Sequence, residues 1–407
     1  MNRGAKREQF RASLSSQDPY HVASLLTLAP PPPKKNKSKP NDINLPQSSE
    51  SSIQDSLGNE WSSVIKSWLD TQELSQAGLA VRAYESQSQL HASFNQMFGS
   101  STGNWLVPAL HAVCKSTHRL AKAADKELGG GASTDQAKLQ SAVNLLQESF
   151  SRTYNDRKEY HPNSPFGPEG SKKAGVLSIV NELFVIYFSL NTLRLCKNLV
   201  RPMEAKKLHE KGTMGELVMY RYYTGRLSLF EDQYADAEQN LEYAFQNCHV
   251  NAVKNKRIML RYLVPVKLYR GRLPSASLLQ KYGLTEYGPL VDSMRKGDLR
   301  TFNDTLVRFQ DKFIRQGTYL LLEKCKAICY RNLFKRIHYV VGKSQIALGH
   351  VANSFKGLGV PIDLDEIECI LANLIYRGYV RGYLSHTKRV LVLSKRDPFP
   401  VSAVMAK

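Results

Sequence analysis

The chain has 407 residues, of which 42% are hydrophobic, so it is long enough for two or three domains with buried cores. Its 56 Lys and Arg residues exceed its 36 Asp and Glu residues and give a net charge of +20, which favours a polyanionic partner: nucleic acid above all, then a membrane surface or an acidic protein. The six cysteines contain no CxxC pair, which argues against a thiolate zinc site or a redox pair.

The N-terminus is polar and charged, unlike a secretory signal. No apolar run approaches the ~20 residues that a membrane span requires. We therefore expect a soluble, intracellular, reduced protein without membrane insertion.

Residues 1–60 are predicted to be mostly a disordered Pro/Ser-rich tail, because APPPPKKNKSKP and the Ser/Asn/Gln-rich stretch after it contain too few apolar residues to offset the ordering entropy. The basic run at residues 34–39 is either a nuclear-import signal or a solvated charge run. A short helix at residues 21–28 is expected to dock elsewhere. Residues 401–407 are predicted to form a second tail.

Residues 61–174 are predicted to form N-terminal helical repeats. In WSSVIKSWLDTQ the apolar residues recur at three- and four-residue spacing, which is typical of an amphipathic helix. A long helix is expected at residues 105–128, and GGGAST at residues 129–134 separates it from the next one. The stretch PNSPFGPEGSKK is expected to be a loop.

Residues 175–317 are predicted to form tetratricopeptide-like (TPR-like) helical hairpins. A buried helix followed by a turn is expected first, at residues 175–200. The next segment carries small or apolar residues at the spacing of a closely packed hairpin: Gly225, Ala237, Leu241 and Ala244. Two further hairpins are expected, at residues 255–283 and 287–317. This α-solenoid either presents a binding surface or contacts only its neighbours.

Residues 318–400 are predicted to form a winged helix that starts with one long helix at residues 318–341. Its apolar stripe consists of Leu322, Cys325, Cys329, Leu333, Ile337 and Val340. The stripe indicates that both cysteines are core residues and not metal ligands. Another face carries Lys324, Arg331, Lys335 and His338, and is either an ordinary polar face or a polyanion-binding surface.

A strand or turn, a second helix, a third helix and a hairpin complete the predicted winged helix. The second helix is expected to bury Leu348, Val351, Phe355 and Leu358. Asp363 is expected to cap the third helix, with Glu366 completing a capping box. The core residues of the third helix are predicted to be Leu364, Ile367, Leu371 and Leu374. VRGYLS and RVLVLSK are predicted to be strands on either side of the turn HTK.

The third helix and the hairpin differ in charge. Asp365, Glu366 and Glu368 suit the N-terminal end of the helix dipole but would repel phosphates, so we expect them to contact a partner protein. Residues 254–407 contain 28 Lys and Arg against 11 Asp and Glu, an excess of 17 positive charges. The predicted nucleic-acid-binding residues are Arg331, Lys335, Arg377, Arg381, Lys388, Arg389 and Lys395, with Arg396 beside them. They would contact phosphates without reading sequence.

We find no motif of an enzyme. The GKS at residues 342–344 has Ile337 where a P-loop requires glycine, and no HExxH, GxSxG or GxGxxG is present. The sequence therefore predicts a protein that is not an enzyme and that uses no cofactor or metal.

Several segments resemble one branch of the PCI-domain proteins, the family of PCI-domain-containing protein two, Thp-one and Csn-twelve. The segments are NKRIMLRYLVPVKL, FIRQGTYLLLEKCKAICYRNLFKRI, DEIECILANLIYRGYVRGYLSH and SKRDPFP. The resemblance is dense over residues 175–400 and weak before residue 61. It implies a mainly α fold, in which a helical-repeat, TPR-like α-solenoid precedes a C-terminal winged helix, the PCI domain.

The resemblance also implies a function. Family members act in the TREX-two mRNA-export complex with a Sac-three/GANP-type scaffold and a small acidic Sem/DSS-type subunit, bind RNA and DNA, and couple transcription to export at the nuclear pore. The implied location is the nucleus, with some protein in the cytoplasm. The alternative is a structural PCI subunit of a signalosome-like or splicing-associated Csn-twelve complex, in which the basic charge would face an acidic protein. The preference for RNA or DNA stays open.

Overall fold

The computed structural model describes residues 3–28, 59–129, 136–161 and 166–401. The chain divides into two compact units, Met1–Tyr220 and Arg221–Lys407. This division does not coincide with the boundary predicted between residues 174 and 175, and the other boundaries stay predictions. Among the described residues, no helix combines the length and the apolar character needed to cross a membrane.

Several predicted features lie outside the described residues. They are the Pro/Ser-rich tail over residues 29–58 with its basic run at residues 34–39, most of the GGGAST stretch, the start of the PNSPFGPEGSKK loop at residues 162–165, and the C-terminal tail after residue 401.

The first unit is built from helices that pack on their neighbours in sequence. Their bounds are α1 (Arg3–Ser15), α2 (Pro19–Leu26), α3 (Asn59–Gln76), α4 (Ala80–Ser100), α5 (Val107–Glu127), α6 (Ala137–Tyr154), α7 (Val176–Ser189) and α8 (Leu193–Ala205). Helices α3 to α7 contact one another in succession. The next helix, α9 (Met214–Phe230), continues into the second unit.

Residues 3–28 contain the two helices α1 and α2, so the prediction of an unstructured tail is wrong for this segment, apart from the short helix expected at residues 21–28, which overlaps α2. The Phe10 side chain is fully buried, and its ring lies 5.8 Å from the Trp61 ring and 5.3 Å from the Trp68 ring, centroid to centroid. Burying one aromatic side chain of this size stabilises a fold by about 1.5–3 kcal/mol. The prediction rested on the polar, proline-rich composition of most of the tail and overlooked this short apolar segment.

The second unit continues the helical hairpins and ends in the only sheet within the described part of the chain. Its elements after α9 are α10 (Tyr234–Asn247), α11 (Val253–Tyr269), α12 (Ala276–Lys281), α13 (Gly288–Lys296), α14 (Leu299–Arg308), α15 (Gln310–Gln316), α16 (Tyr319–Lys324), α17 (Lys326–Val341), β1 (Gln345–Ala347), α18 (Leu348–Gly357), α19 (Leu364–Tyr376), β2 (Gly382–Ser385) and β3 (Val390–Leu393). The predicted fold class, helical repeats followed by a winged helix, is confirmed.

The close approach predicted for the first hairpin is present between α9 and α10. A Cβ atom added at Gly225 would lie 2.8 Å from Leu241 Cγ and 3.1 Å from the Leu241 backbone nitrogen. The side chains of Ala237, Leu241 and Ala244 are fully buried. The absence of a side chain at Gly225 therefore allows the two helices to pack at this distance.

The three strands form an antiparallel sheet in the order β1-β3-β2. Residues paired across the sheet share a face, so Ile346, Leu391 and Leu384 form one row. Ile346 and Leu391 are fully buried, which identifies this face as the one that packs on the helices. The neighbouring positions along each strand therefore lie on the outer face.

Candidate nucleic-acid interface

The first predicted helix of the winged helix is interrupted at one residue. Helix α16 ends at Lys324, Cys325 breaks the regular pattern, and α17 starts at Lys326. Cys325 and Cys329 are fully buried, which confirms them as core residues. Val340 was predicted to be buried but is 87% exposed, because it lies in the last turn of α17, beyond the packed part of the helix.

Arg331 corrects the prediction of a solvated basic face. It is only 6% exposed, and its guanidinium donates to the Phe399 carbonyl at 2.6 Å and to Asn332 Oδ1 at 2.7 Å. Burial lowers the pKa of this guanidinium, since the charged form loses hydration. Arg331 therefore holds the C-terminal segment against α17 and is not available to phosphates.

The other members of that predicted face do not form one basic surface. Lys324 is paired with Asp232 at 2.9 Å and donates to Tyr234. Lys335 is half-buried, with its Nζ atom 5.7 Å from the centre of the Tyr339 ring. The basic candidates on α16 and α17 are thus largely engaged within the second unit.

The N-cap predicted for the third helix, α19, is present. Asp363 accepts a hydrogen bond from the Glu366 backbone nitrogen at 2.7 Å, which confirms Asp363 as the N-cap. Ile367, Leu371 and Leu374 are buried, as predicted. Leu364, the first residue of the helix, is 37% exposed and was wrongly assigned to the core, because the first turn extends past the packed surface.

The acidic start of α19 and the basic hairpin contact each other. Arg389 lies 2.5 Å from Asp365 and 3.2 Å from Glu368, and His386 Nδ1 lies 2.7 Å from Glu368. The hydrogen bond between Arg389 and Asp365 raises the pKa of the guanidinium and lowers that of the carboxyl. Asp365 and Glu368 were predicted to contact a partner protein and Arg389 a phosphate, but Arg389 forms ion pairs with both carboxylates within the domain. Glu366, the third residue predicted to contact a partner, stays exposed.

The remaining basic residues are open to solvent. They are Arg377, Lys388, Lys395 and Arg396, and within the described ranges none of the four forms an ion pair. Arg381 is 54% exposed and lies 3.6 Å from the exposed Asp397, at the limit of an ion pair. Uncompensated charges of this kind attract phosphates, which makes this surface the candidate interface.

Sequence reasoning missed one basic residue of this surface. Lys343 is exposed, lies two residues before the start of β1, and was considered only as part of a false P-loop. The β1–β3 register extended by two pairs beyond Gln345 and Val392 places residue 343 across from residue 394. The β2–β3 register extended by one pair places residue 394 across from Arg381. Only the sheet order reveals that Lys343 and Arg381 share a row.

A model of the PCI domain matches residues 305–395, the part of the chain that contains the winged helix. The chain is 37% identical over 326 residues to PCI domain-containing protein 2 of Xenopus laevis, covering 79% of both chains. It is 34% identical over 401 residues to Enhanced ethylene response protein 5 of Arabidopsis thaliana, covering 96% of this chain and 94% of the relative.

A third relative is Protein CSN12 homolog of Mycosarcoma maydis, which is 30% identical over 354 residues and is matched over 80% of this chain and 76% of the relative. The winged helix at the end of helical repeats and these similarities agree. The chain belongs to the family of PCI domain-containing protein 2.

Proposed function

We propose that this protein is a non-enzymatic PCI-domain adaptor of a TREX-two-like complex. In this role its winged helix binds RNA or DNA, and its helical repeats bind a Sac-three/GANP-type scaffold at the nuclear pore. The adaptor couples transcription to nuclear mRNA export. Family membership is shown by the similarities above, whereas the ligand, the partners and the location are proposed.

One observation carries the nucleic-acid part of this proposal. Exposed cations remain at the end of α19, on the hairpin and after β3, while two of the three carboxylates at the start of α19, those of Asp365 and Glu368, are held by Arg389 and His386. The acidic helix start therefore repels a polyanion less than its sequence suggests. Contacts from these cations would go to phosphates, which accounts for binding without sequence selectivity.

The binding test uses the full chain and a labelled single-stranded RNA in a fluorescence-anisotropy titration. Lys388→Glu combined with Lys395→Glu is expected to weaken binding strongly and to lower its salt dependence. The matched control is Lys115→Glu with Lys122→Glu, two exposed lysines on α5 that carry the same charge change. Equal weakening by both pairs would show that net charge, and not this surface, determines binding.

The partner test is affinity purification of the tagged protein from nuclear extract, followed by mass spectrometry. The proposal expects a Sac-three/GANP-type scaffold together with a small acidic protein. An acidic, disordered subunit fits the excess of positive charge after residue 254 and would fold on binding. Recovery of neither protein would contradict the export role.

The relative named Protein CSN12 homolog favours a second candidate. In it the chain is a structural PCI subunit of a signalosome-like or splicing-associated complex, and its basic surface contacts an acidic protein. The same purification separates the two candidates, since signalosome or splicing subunits without the scaffold support the second. Loss of those subunits on Lys388→Glu with Lys395→Glu would assign the basic surface to protein binding.

A further inference from the structure

The outer face of the three-stranded sheet combines two cations with an exposed aromatic ring. Gln345, Val392 and Tyr383 form its central row, because Gln345 pairs with Val392 and Val392 pairs with Tyr383. Extending the register past the strand ends places Arg381, the residue before β2, and Lys343, two residues before β1, in the next row. Side chains two residues apart on a strand lie about 7 Å apart on the same face.

Tyr383 is the prominent side chain of this face. It is 63% exposed although it lies in the middle of a strand. Val390 and Val392 on the neighbouring strand are half-buried, so the residues next to Tyr383 on this face are apolar and less exposed than its ring. An aromatic ring held on a rigid strand offers a flat surface for another ring at little entropic cost, because its backbone is already ordered.

The strand that carries Tyr383 is fixed by the preceding residue. A Cβ atom at Gly382 would lie 2.2 Å from the Val392 carbonyl oxygen, so only glycine permits the observed approach of β2 to β3. The position of Tyr383 relative to Arg381 is therefore set by the pairing of β2 with β3, which continues to Arg381 because its carbonyl accepts from the Ser394 backbone nitrogen at 2.9 Å.

We propose that this outer face binds single-stranded nucleic acid, with one base stacked on Tyr383 and the flanking phosphates contacted by Lys343 and Arg381. This inference rests on the proposed function, which gives the winged helix a nucleic-acid ligand, and adds the strandedness and the stacking residue. Proteins that bind single strands combine a basic surface with aromatic rings, since every base has a π-face. A duplex hides those faces within its own stack.

Charge complementarity favours this ligand. Lys343 is exposed. The Arg381 guanidinium lies 3.6 Å from the carboxylate of Asp397, and because Asp397 is also exposed, a phosphate can replace it. An acidic peptide would satisfy the two cations but has no ring that requires Tyr383. We therefore treat peptide binding as an outcome of the test.

The experiment measures binding of the full chain to a fluorescein-labelled 15-nucleotide oligouridine and to a 15-base-pair RNA duplex. Tyr383→Val preserves a residue suited to a strand but removes the π-face, whereas Tyr383→Phe keeps it. Loss of one stacked base weakens binding by about tenfold. The control is Tyr376→Ala, which removes another exposed tyrosine, 90% accessible at the end of α19.

The expected result is about tenfold weaker binding of the oligouridine to Tyr383→Val, near-normal binding to Tyr383→Phe and to Tyr376→Ala, and unchanged binding of the duplex. If the wild type binds and Lys388→Glu with Lys395→Glu weakens it, but Tyr383→Val does not, this inference is overturned and the proposed function stands. If the wild type binds neither RNA, the proposed function fails as well. Tyr383-dependent binding of a 15-residue polyglutamate in place of RNA would also overturn the inference.

Discussion

Two adjacent residues of the hairpin should contribute very differently to nucleic-acid binding. Lys388 is exposed without an ion pair among the described residues, whereas Arg389 is held by two carboxylates, Asp365 at 2.5 Å and Glu368 at 3.2 Å. Lys388→Ala should therefore remove an effective positive charge from the surface. Arg389→Ala should remove one that is already neutralised.

The magnitude follows from counterion release. Each phosphate neutralised on a single strand contributes about 0.7 to the slope of log affinity against log salt concentration. Lys388→Ala should lower that slope by about 0.7, and Arg389→Ala should leave it nearly unchanged. Asp365→Asn combined with Glu368→Gln releases Arg389, so it should raise the slope by about the same amount and strengthen binding several-fold.

The assay is a set of anisotropy titrations of single-stranded RNA at four salt concentrations, with thermal unfolding of each variant to verify the fold. Arg389 and Asp365 are exposed, and Glu368, which is 15% exposed, is replaced by a side chain of the same shape, so none of these changes should unfold the domain. The reasoning is refuted if Arg389→Ala lowers the slope as much as Lys388→Ala. It is refuted equally if the carboxylate variant binds no better than the wild type.

Three further predictions concern stability. Burial lowers the pKa of His91 from 6.5 to about 3, so between these pH values the unfolded chain binds a proton that the folded chain does not. The free energy of unfolding should therefore be full above pH 6.5 and about 2 kcal/mol lower at pH 5. In urea unfolding at several pH values, the free energy of unfolding should fall more steeply with decreasing pH for the wild type than for His91→Gln. Arg331→Met leaves a buried carbonyl without its donor and should cost about 1–3 kcal/mol in urea unfolding, and an RNA affinity that falls while the folded fraction is unchanged would contradict its structural role. Gly225→Ala forces a Cβ atom against Leu241 and should destabilise the protein by about 1–2 kcal/mol, whereas Gly215→Ala in the same helix meets nothing within 4 Å and should not lower the melting temperature.

Local patterns in the sequence determined much of the winged helix. The spacing of apolar residues identified Cys325, Cys329 and Ile367 as core residues, and Asp363 as a cap, because helical periodicity and capping depend on residues only three or four positions apart. The antiparallel hairpin was likewise evident from two apolar alternations around a short turn.

Only the tertiary structure decided which polar faces stay exposed. Arg331 was expected in solvent, but the chain returns 68 residues later and covers it. Arg389 meets Asp365 across 24 positions, which turns two predicted partner surfaces into one internal contact. Lys343 and Arg381 fall in the same row of the extended register only because β3 lies between β1 and β2. A periodic pattern specifies which side chains share a face, whereas the burial and charge of that face depend on segments that are distant in sequence.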